Sequence, residues 1–176
     1  MQLTHASTNA HYEQIETLYE KSFPSCERKP FSLILEKQQS GNVDVLMLEE
    51  SGQFAGLAIT MMDKDLVLLD YFAIEESMRG KGFGSAALHL LFDFYKGKRF
   101  FLEIESTLAH ADNKAQRLLR KQFYLANDMT ELGIQANVFE TDMELLGHNI
   151  SLTFEEYQNI YRNVYGTKKA AHIILL

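Results

Sequence analysis

The sequence predicts a mixed α/β fold: a mainly antiparallel sheet with one parallel strand pair, flanked by helices. Three strand-like runs, Val43 to Glu49, Gln53 to Met62 and Leu66 to Ile74, are separated only by Glu50-Ser51-Gly52 and Asp63-Lys64-Asp65. Connections that short join antiparallel neighbours, so these runs form a meander. After Gly84 the hydrophobic spacing changes to that of a helix, with Leu88, Leu91, Phe92 and Tyr95 on one stripe and Gly97 as its stop, and Arg99 to Glu105 then reads as another strand. Strand, helix, strand is a parallel crossover.

The remaining elements follow in order. Gln2 to His5 is a short strand, and Tyr12, Ile15, Leu18 and Tyr19 recur at helical spacing until the Phe23-Pro24 turn. Phe31 to Gln39 is a second helix that stops before Gly41. Beyond the crossover, a helix runs from about Asn113 to Leu125 with Ala115, Leu118, Leu119 and Phe123 expected to face inward, and strands follow at Glu131 to Val138 and Phe139 to Leu146. A final helix begins at Thr153, whose hydroxyl can form a capping box with Glu156, and it buries Phe154, Tyr157, Ile160, Tyr161 and Val164. The apolar tail His172 to Leu176 is expected to add a strand or to meet a second subunit, so a homodimer stays open.

At 176 residues, with no internal repeat and no Pro/Gly-rich linker, the chain is expected to be a single domain over residues 1–176. Acidic residues outnumber basic ones 24 to 17, and the net charge of −7 disfavours nucleic acid while suiting a cationic partner. Cys26 is the only cysteine, which excludes an internal disulfide and fits a cytoplasmic setting; it reads as a small buried residue rather than a nucleophile, since no positioned histidine accompanies it. The six histidines show no His-x-x-x-His pair and no cysteine partners, so no metal is expected. Apolar runs are too short to span a bilayer, and Met1 to Ala10 lacks the pattern of a signal peptide, so no membrane partner is expected.

The chemically informative stretch is Met78-Arg79-Gly80-Lys81-Gly82-Phe83-Gly84-Ser85, between a strand and a helix. Glycines let the backbone turn sharply and approach a ligand, and the free N–H groups of the first helical turn point at an anion; Arg79 and Lys81 add positive charge. A P-loop is excluded because Lys81 precedes Gly82, and the glycine spacing and the preceding meander do not fit a dinucleotide-binding fingerprint. Arg/Gln-x-x-Gly-x-Gly/Ala does fit, at Arg79, Gly82 and Gly84, and it resembles the acetyl-CoA pyrophosphate loop of the GNAT N-acetyltransferase superfamily. The strand Leu66 to Ile74 looks like that family's fourth strand, Gly84 to Leu88 like its third helix, and Phe123-Tyr124 like the Phe-Tyr pair that ends its fourth helix. Asp128 and Met129 stand where the family usually has Gly-Phe.

The resemblance implies a GNAT-like acyl-CoA N-acyltransferase fold with its parallel pair at the fourth and fifth strands. It implies acetyl-CoA as cosubstrate, held by Phe72, Ala73, Ile74, Arg79, Gly80, Lys81, Gly82, Phe83, Gly84 and Ser85, and direct acetyl transfer to a primary amine of a small molecule or peptide. Tyr124 matches the family tyrosine expected to act as the acid near the cofactor sulfur. Strand alternation puts Phe101, Glu103 and Glu105 on one face, and Glu103, mid-strand among apolar residues, is the candidate base, with Asp70 as rival and a structural ion pair as the alternative. Glu27 and Arg28 lie where this superfamily usually walls its acceptor site, although a surface salt bridge is the better explanation of them, since exposed charges need no function. A non-catalytic acyl-CoA-binding regulatory module is the alternative reading of the whole, and a structural subunit that binds no acetyl-CoA is a further one.

Overall fold

The computed structural model describes residues 1–25, 27–108 and 111–176, so the expectation for Cys26 lies outside the described residues. The chain forms two compact units, one of Met1–Met61 with Leu69–Lys96 and one of Met62–Leu68 with Gly97–Leu176. The fold class is the mixed α/β one expected from sequence, with β4 (Leu66–Ile74) and β5 (Arg99–Glu105) parallel and the other strand pairs antiparallel.

The strand order begins β1 (Gln2–His5), β2 (Val43–Glu50), β3 (Gln53–Asp63), β4, and all of these but the end of β3 and the first three residues of β4 fall in the first unit. Ser51 and Gly52 both take positive φ, 53° and 76°, which is the two-residue turn that matches the twist of an antiparallel pair. β2 pairs with β3 from Val43↔Met61 to Glu50↔Gln53, with a bulge at Leu48/Glu49. Gly56 sits opposite Leu48, and a Cβ there would lie 2.4 Å from the carbonyl oxygen of Ala73, so β3 and the end of β4 approach closely only because this residue is glycine. α1 (Asn9–Ser22) is capped by Thr8, whose side chain accepts from His11 N–H, and buries Ile15, Leu18 and Tyr19. α2 (Phe31–Gln39) buries Phe31 and Ile34, and α3 (Phe83–Phe94) buries Ala87, Leu88 and Leu91.

In the second unit β5 pairs with β7 (Thr141–Gly147), β7 with β6 (Thr130–Val138), and β6 with β8 (Ile173–Leu175). The tail therefore adds a strand, in the register Val138↔Ile173. β7 begins two residues later than the sequence suggests, because Phe139 and Glu140 take φ of 47° and 71° and make the turn, held by the Asn137 side-chain oxygen accepting from Glu140 N–H. α5 (Phe154–Tyr165) opens with the expected Thr153–Glu156 capping box and buries Tyr157, Ile160, Tyr161 and Val164; the short α6 (Thr167–Ala170) follows. Among the described residues no helix is long and apolar enough to cross a membrane.

The expected inward face of α4 (Lys114–Leu125) requires correction. Leu118 and Leu119 are exposed, Leu119 to 66%, Ala115 is exposed and Phe123 only partly buried, whereas Tyr124 is buried. The reason is electrostatic. Two carboxylates of the sheet, Glu105 and Glu144, are buried, and a buried charge requires a partner. Glu105 receives Arg117 at 2.7 Å and Arg120 at 3.0 Å, while Glu144 receives Lys121 at 2.7 Å and the Thr107 N–H at 2.9 Å. α4 turns its cationic stripe toward these acids and leaves its leucines outside. Burial alone would push the Glu144 carboxyl up, but the Lys121 ammonium and Thr107 together hold it below the usual carboxylate range.

Lys121→Met strands Glu144 without its cation. It is expected to lower the unfolding free energy by about 3 kcal/mol at neutral pH, measured by urea denaturation, and a second change, Glu144→Leu, should restore most of that. Because Lys121 helps depress the folded-state proton affinity of Glu144, its contribution is present above the unfolded carboxylate pKa and is lost as pH falls through the folded one. The deficit of the variant should therefore shrink below about pH 4; a deficit that persists unchanged at low pH would assign the loss to packing instead.

Candidate active site

In the first unit, β4 ends at Ile74, a single 3₁₀ turn spans Glu76–Met78, and α3 starts at Phe83. Between them Gly80 and Gly82 take φ of 73° and 82°, the left-handed region that side chains with a Cβ enter at a cost. Apart from the adjoining residues, no atom of the described residues lies within 4 Å of where a Cβ would stand on either glycine, so both border open space. Gly82 is the N-cap of α3 and supplies no side-chain cap. The first helical bond runs from Ala86 N–H to the Gly82 carbonyl, which leaves the N–H groups of Phe83, Gly84 and Ser85 as the orphan donors of the first turn. With the helix dipole behind them, these donors suit a phosphate or pyrophosphate oxygen. The residues present thus fit the anionic part of acetyl-CoA.

The basic residues of the loop are tied to its backbone. Arg79 Nε donates to the Ile74 carbonyl at 2.9 Å, and Lys81 Nζ donates to the Ser77 carbonyl at 2.8 Å. Both side chains brace the turn while keeping their charge beside it. Phe72, Ile74 and Phe83 pack in one cluster with Leu48, Ala55, Ala87 and Met78, and Ala73 is buried. The packing of Phe72, Ile74 and Phe83 holds the strand end and the helix start in place.

Asp70, the rival base, accepts from Lys29 Nζ through both oxygens at 2.8 Å and is almost wholly buried, so its partner is a lysine of this chain. Around the pair, the Tyr71 hydroxyl donates to the Glu27 carbonyl and accepts from Lys29 N–H, and the Tyr19 hydroxyl donates to the Lys29 carbonyl. Segment 27–30 is thereby pinned to α1 and β4. Burial pushes the Tyr19 phenol well up, with Tyr71 adding to it.

In the second unit, Glu103 accepts hydrogen bonds from both tyrosines on the buried face of α5: Tyr161 Oη at 2.6 Å, and Tyr157 Oη in a very short contact. Reading the sequence found the two tyrosines as core and the glutamate as a candidate base, and missed that they belong together. The available signal was that a tyrosine buried on a helix face needs an acceptor for its hydroxyl. Tyr124 lies in the last turn of α4, its ring 5.1 Å from that of Phe123, and its hydroxyl has no hydrogen-bond partner among the described residues. Burial pushes its pKa up to about 12, with Arg120 pulling slightly the other way. Among the described residues no group of three or more His, Cys, Asp or Glu side chains could hold a metal ion.

A family model for the acetyltransferase (GNAT) family matches residues 12–123, from α1 into α4 and across the glycine loop. The chain belongs to this family. Solved structures similar to this GNAT acetyltransferase include a protein described as a GNAT-family acetyltransferase from Bacteroides thetaiotaomicron, 20% identical, with a TM-score of 0.81 over 95% of this chain and 99% of that one. An acetyltransferase from Bacillus subtilis in complex with CoA matches at 14% identity and a TM-score of 0.63, over 86% and 99%. A ribosomal-protein-alanine N-acetyltransferase from Brucella melitensis matches at 17% and 0.60, over 84% and 98%. At these identities the likeness is one of fold. No curated protein matches the sequence.

Proposed function

We propose that this GNAT acetyltransferase moves an acetyl group from acetyl-CoA directly to a primary amine of a small molecule or peptide. The observation that carries the proposal is the turn from Gly80 to Ser85, with two open positive-φ glycines and three amide donors that have no partner among the described residues in the first turn of α3. Acetyl-CoA supplies a thioester carbon to which the amine nitrogen bonds as the C–S bond breaks, with one proton leaving the nitrogen and one joining the sulfur.

The proposed roles in this chain divide between two side chains. Glu103 is the proposed acceptor of the amine proton, and its hydrogen bonds from Tyr157 and Tyr161 fix the carboxylate's orientation. Tyr124 is the proposed donor. Its phenol, pushed up to about 12, keeps its proton at neutral pH. A thiol titrates near 8.5, so full transfer from such a phenol to sulfur is uphill. Its stronger contribution is a hydrogen bond to the negative charge developing on sulfur, worth most in a dry site.

The wild-type protein is expected to gain about 2.7 kcal/mol of stability at an acetyl-CoA concentration 100 times Kd, seen as a rise in Tm. Gly82→Asp should abolish that rise, because it adds both a strained Cβ and a negative charge to the turn. Gly41→Asp, at another open turn glycine with φ of 78°, controls for backbone strain and should keep it. An unchanged shift in a folded Gly82→Asp protein removes the loop from the proposal.

Amine-dependent CoA release across a panel of amines separates an enzyme from a regulatory binding module, which would show the thermal shift without release. Tyr124→Phe should lower turnover by roughly 10²-fold at an unchanged acetyl-CoA Kd, and turnover within a factor of two of wild type would contradict the role given to its hydroxyl.

A further inference from the structure

The proposed reaction names only the amine of its acceptor, and a charged pocket in the first unit bears on what else that acceptor carries. A pocket of about 240 Å³ opens beside α1 and the segment entering α2. That is slightly below the range that holds drug-sized ligands, so it suits a small polar group. Tyr19 and Phe31, with ring centroids 5.8 Å apart, give it an aromatic wall, and Glu16, Glu20, Arg28 and Lys29 give it two charges of each sign. The Tyr19 ring in turn lies 4.7 Å from that of Tyr71, the residue just before Phe72 in β4.

The four charges are not equally engaged. Lys29 is taken up by Asp70, with both carboxylate oxygens at 2.8 Å. Glu16 is exposed and has no partner among the described residues. Among the described residues Arg28 makes a single ion pair, Nη1 to Glu20 Oε1 at 3.2 Å, and while its own side chain is only 23% exposed, that of Glu20 is 62% exposed. Such an exposed pair contributes little. Among the described residues the Arg28 Nε is buried with no acceptor, which is unfavourable for a charged donor. The buried Nε lies out of reach of a ligand oxygen, but the outer edge of a guanidinium whose Nη1 has one weak partner gains when an oxygen anion reaches it, and its two Nη groups match a carboxylate with two parallel hydrogen bonds. Exchanging Glu20 for such a ligand gives up only the exposed pair. The unpaired Glu16 on the same pocket suits a positive group on the same ligand.

We infer that the acceptor carries a carboxylate as well as its amine, and that Arg28 reads the carboxylate: the substrate class is a free amino acid or a comparably small amino-carboxylate, in preference to a bare polyamine. This rests on the acetyl-transfer reading for its place in the reaction, but the binding itself does not. Arg28 here is a specificity-determining residue.

The test uses pairs that differ only by the carboxylate: lysine with cadaverine, phenylalanine with phenethylamine, alanine with ethylamine. Each is titrated calorimetrically into the 176-residue protein without acetyl-CoA and then assayed for CoA release. The acid-bearing member of at least one pair is expected to bind roughly 10-fold more tightly than its partner. Arg28→Gln should erase that preference while leaving the amine-only member within twofold and the acetyl-CoA Kd unchanged. Arg28→Lys, which keeps the charge and loses the fork, should fall between the two. Equal binding within every pair, tighter binding of the bare amine, no binding of any of the six, or an equal loss for both members in Arg28→Gln overturns the inference. Carboxylate preference in calorimetry with no CoA release from any amine would uphold the pocket and refute acetyl transfer, whereas release without preference would do the reverse.

Discussion

The backbone turn at Gly80–Gly82 constrains the chemistry of the first unit. A chain leaving β4 must reverse into α3, and it does so through two residues in a conformation that glycine alone enters freely. Because Gly82 is also the N-cap, no side chain competes for the amides of Phe83, Gly84 and Ser85. The arrangement is locally unsatisfied, and the protein compensates nearby: Arg79 and Lys81 donate to backbone carbonyls of the approach, and the Leu48–Ala55–Ile74–Ala87 cluster clamps strand end to helix start. Gly56 completes the clamp by letting β3 meet the backbone of Ala73 and Ile74. An anion would satisfy the donors that the fold leaves open.

Charges fix the second unit in a different way. Glu105 and Glu144 are buried on the sheet, and α4 is oriented by the arginines and lysine that neutralise them. Glu103 is held instead by two phenols from α5. Three carboxylates within β5 and β7 thus have three different sets of partners, and the partners determine which face each neighbouring helix presents.

These cases mark what the sequence makes legible. The β2–β3–β4 meander could be read because short turns with Ser51-Gly52 and Lys64-Asp65 allow few alternatives, and α5 because its capping box and apolar stripe agree. The glycine loop could be read because its function lies in the backbone, which glycine positions reveal directly. The face of α4 could not, because the leucine pattern points one way and the buried acids, far off in sequence, point the other. A hydrophobic count treats Arg117 and Lys121 as surface residues, whereas their side chains are only 13% and 14% exposed. The same holds for Arg28: its sequence neighbourhood suggests a surface ion pair, and only its buried, orphaned Nε distinguishes it.

The central claim is that the amides at the start of α3 bind the anionic part of coenzyme A. The most direct measurement is a titration of ¹⁵N-labelled protein with coenzyme A, followed by amide chemical shifts. Hydrogen bonding to a phosphate should move the N–H resonances of Phe83, Gly84 and Ser85 downfield, in saturable fashion and more than those of any other helix N-terminus. Binding that leaves these three amides unmoved while shifting others would contradict it.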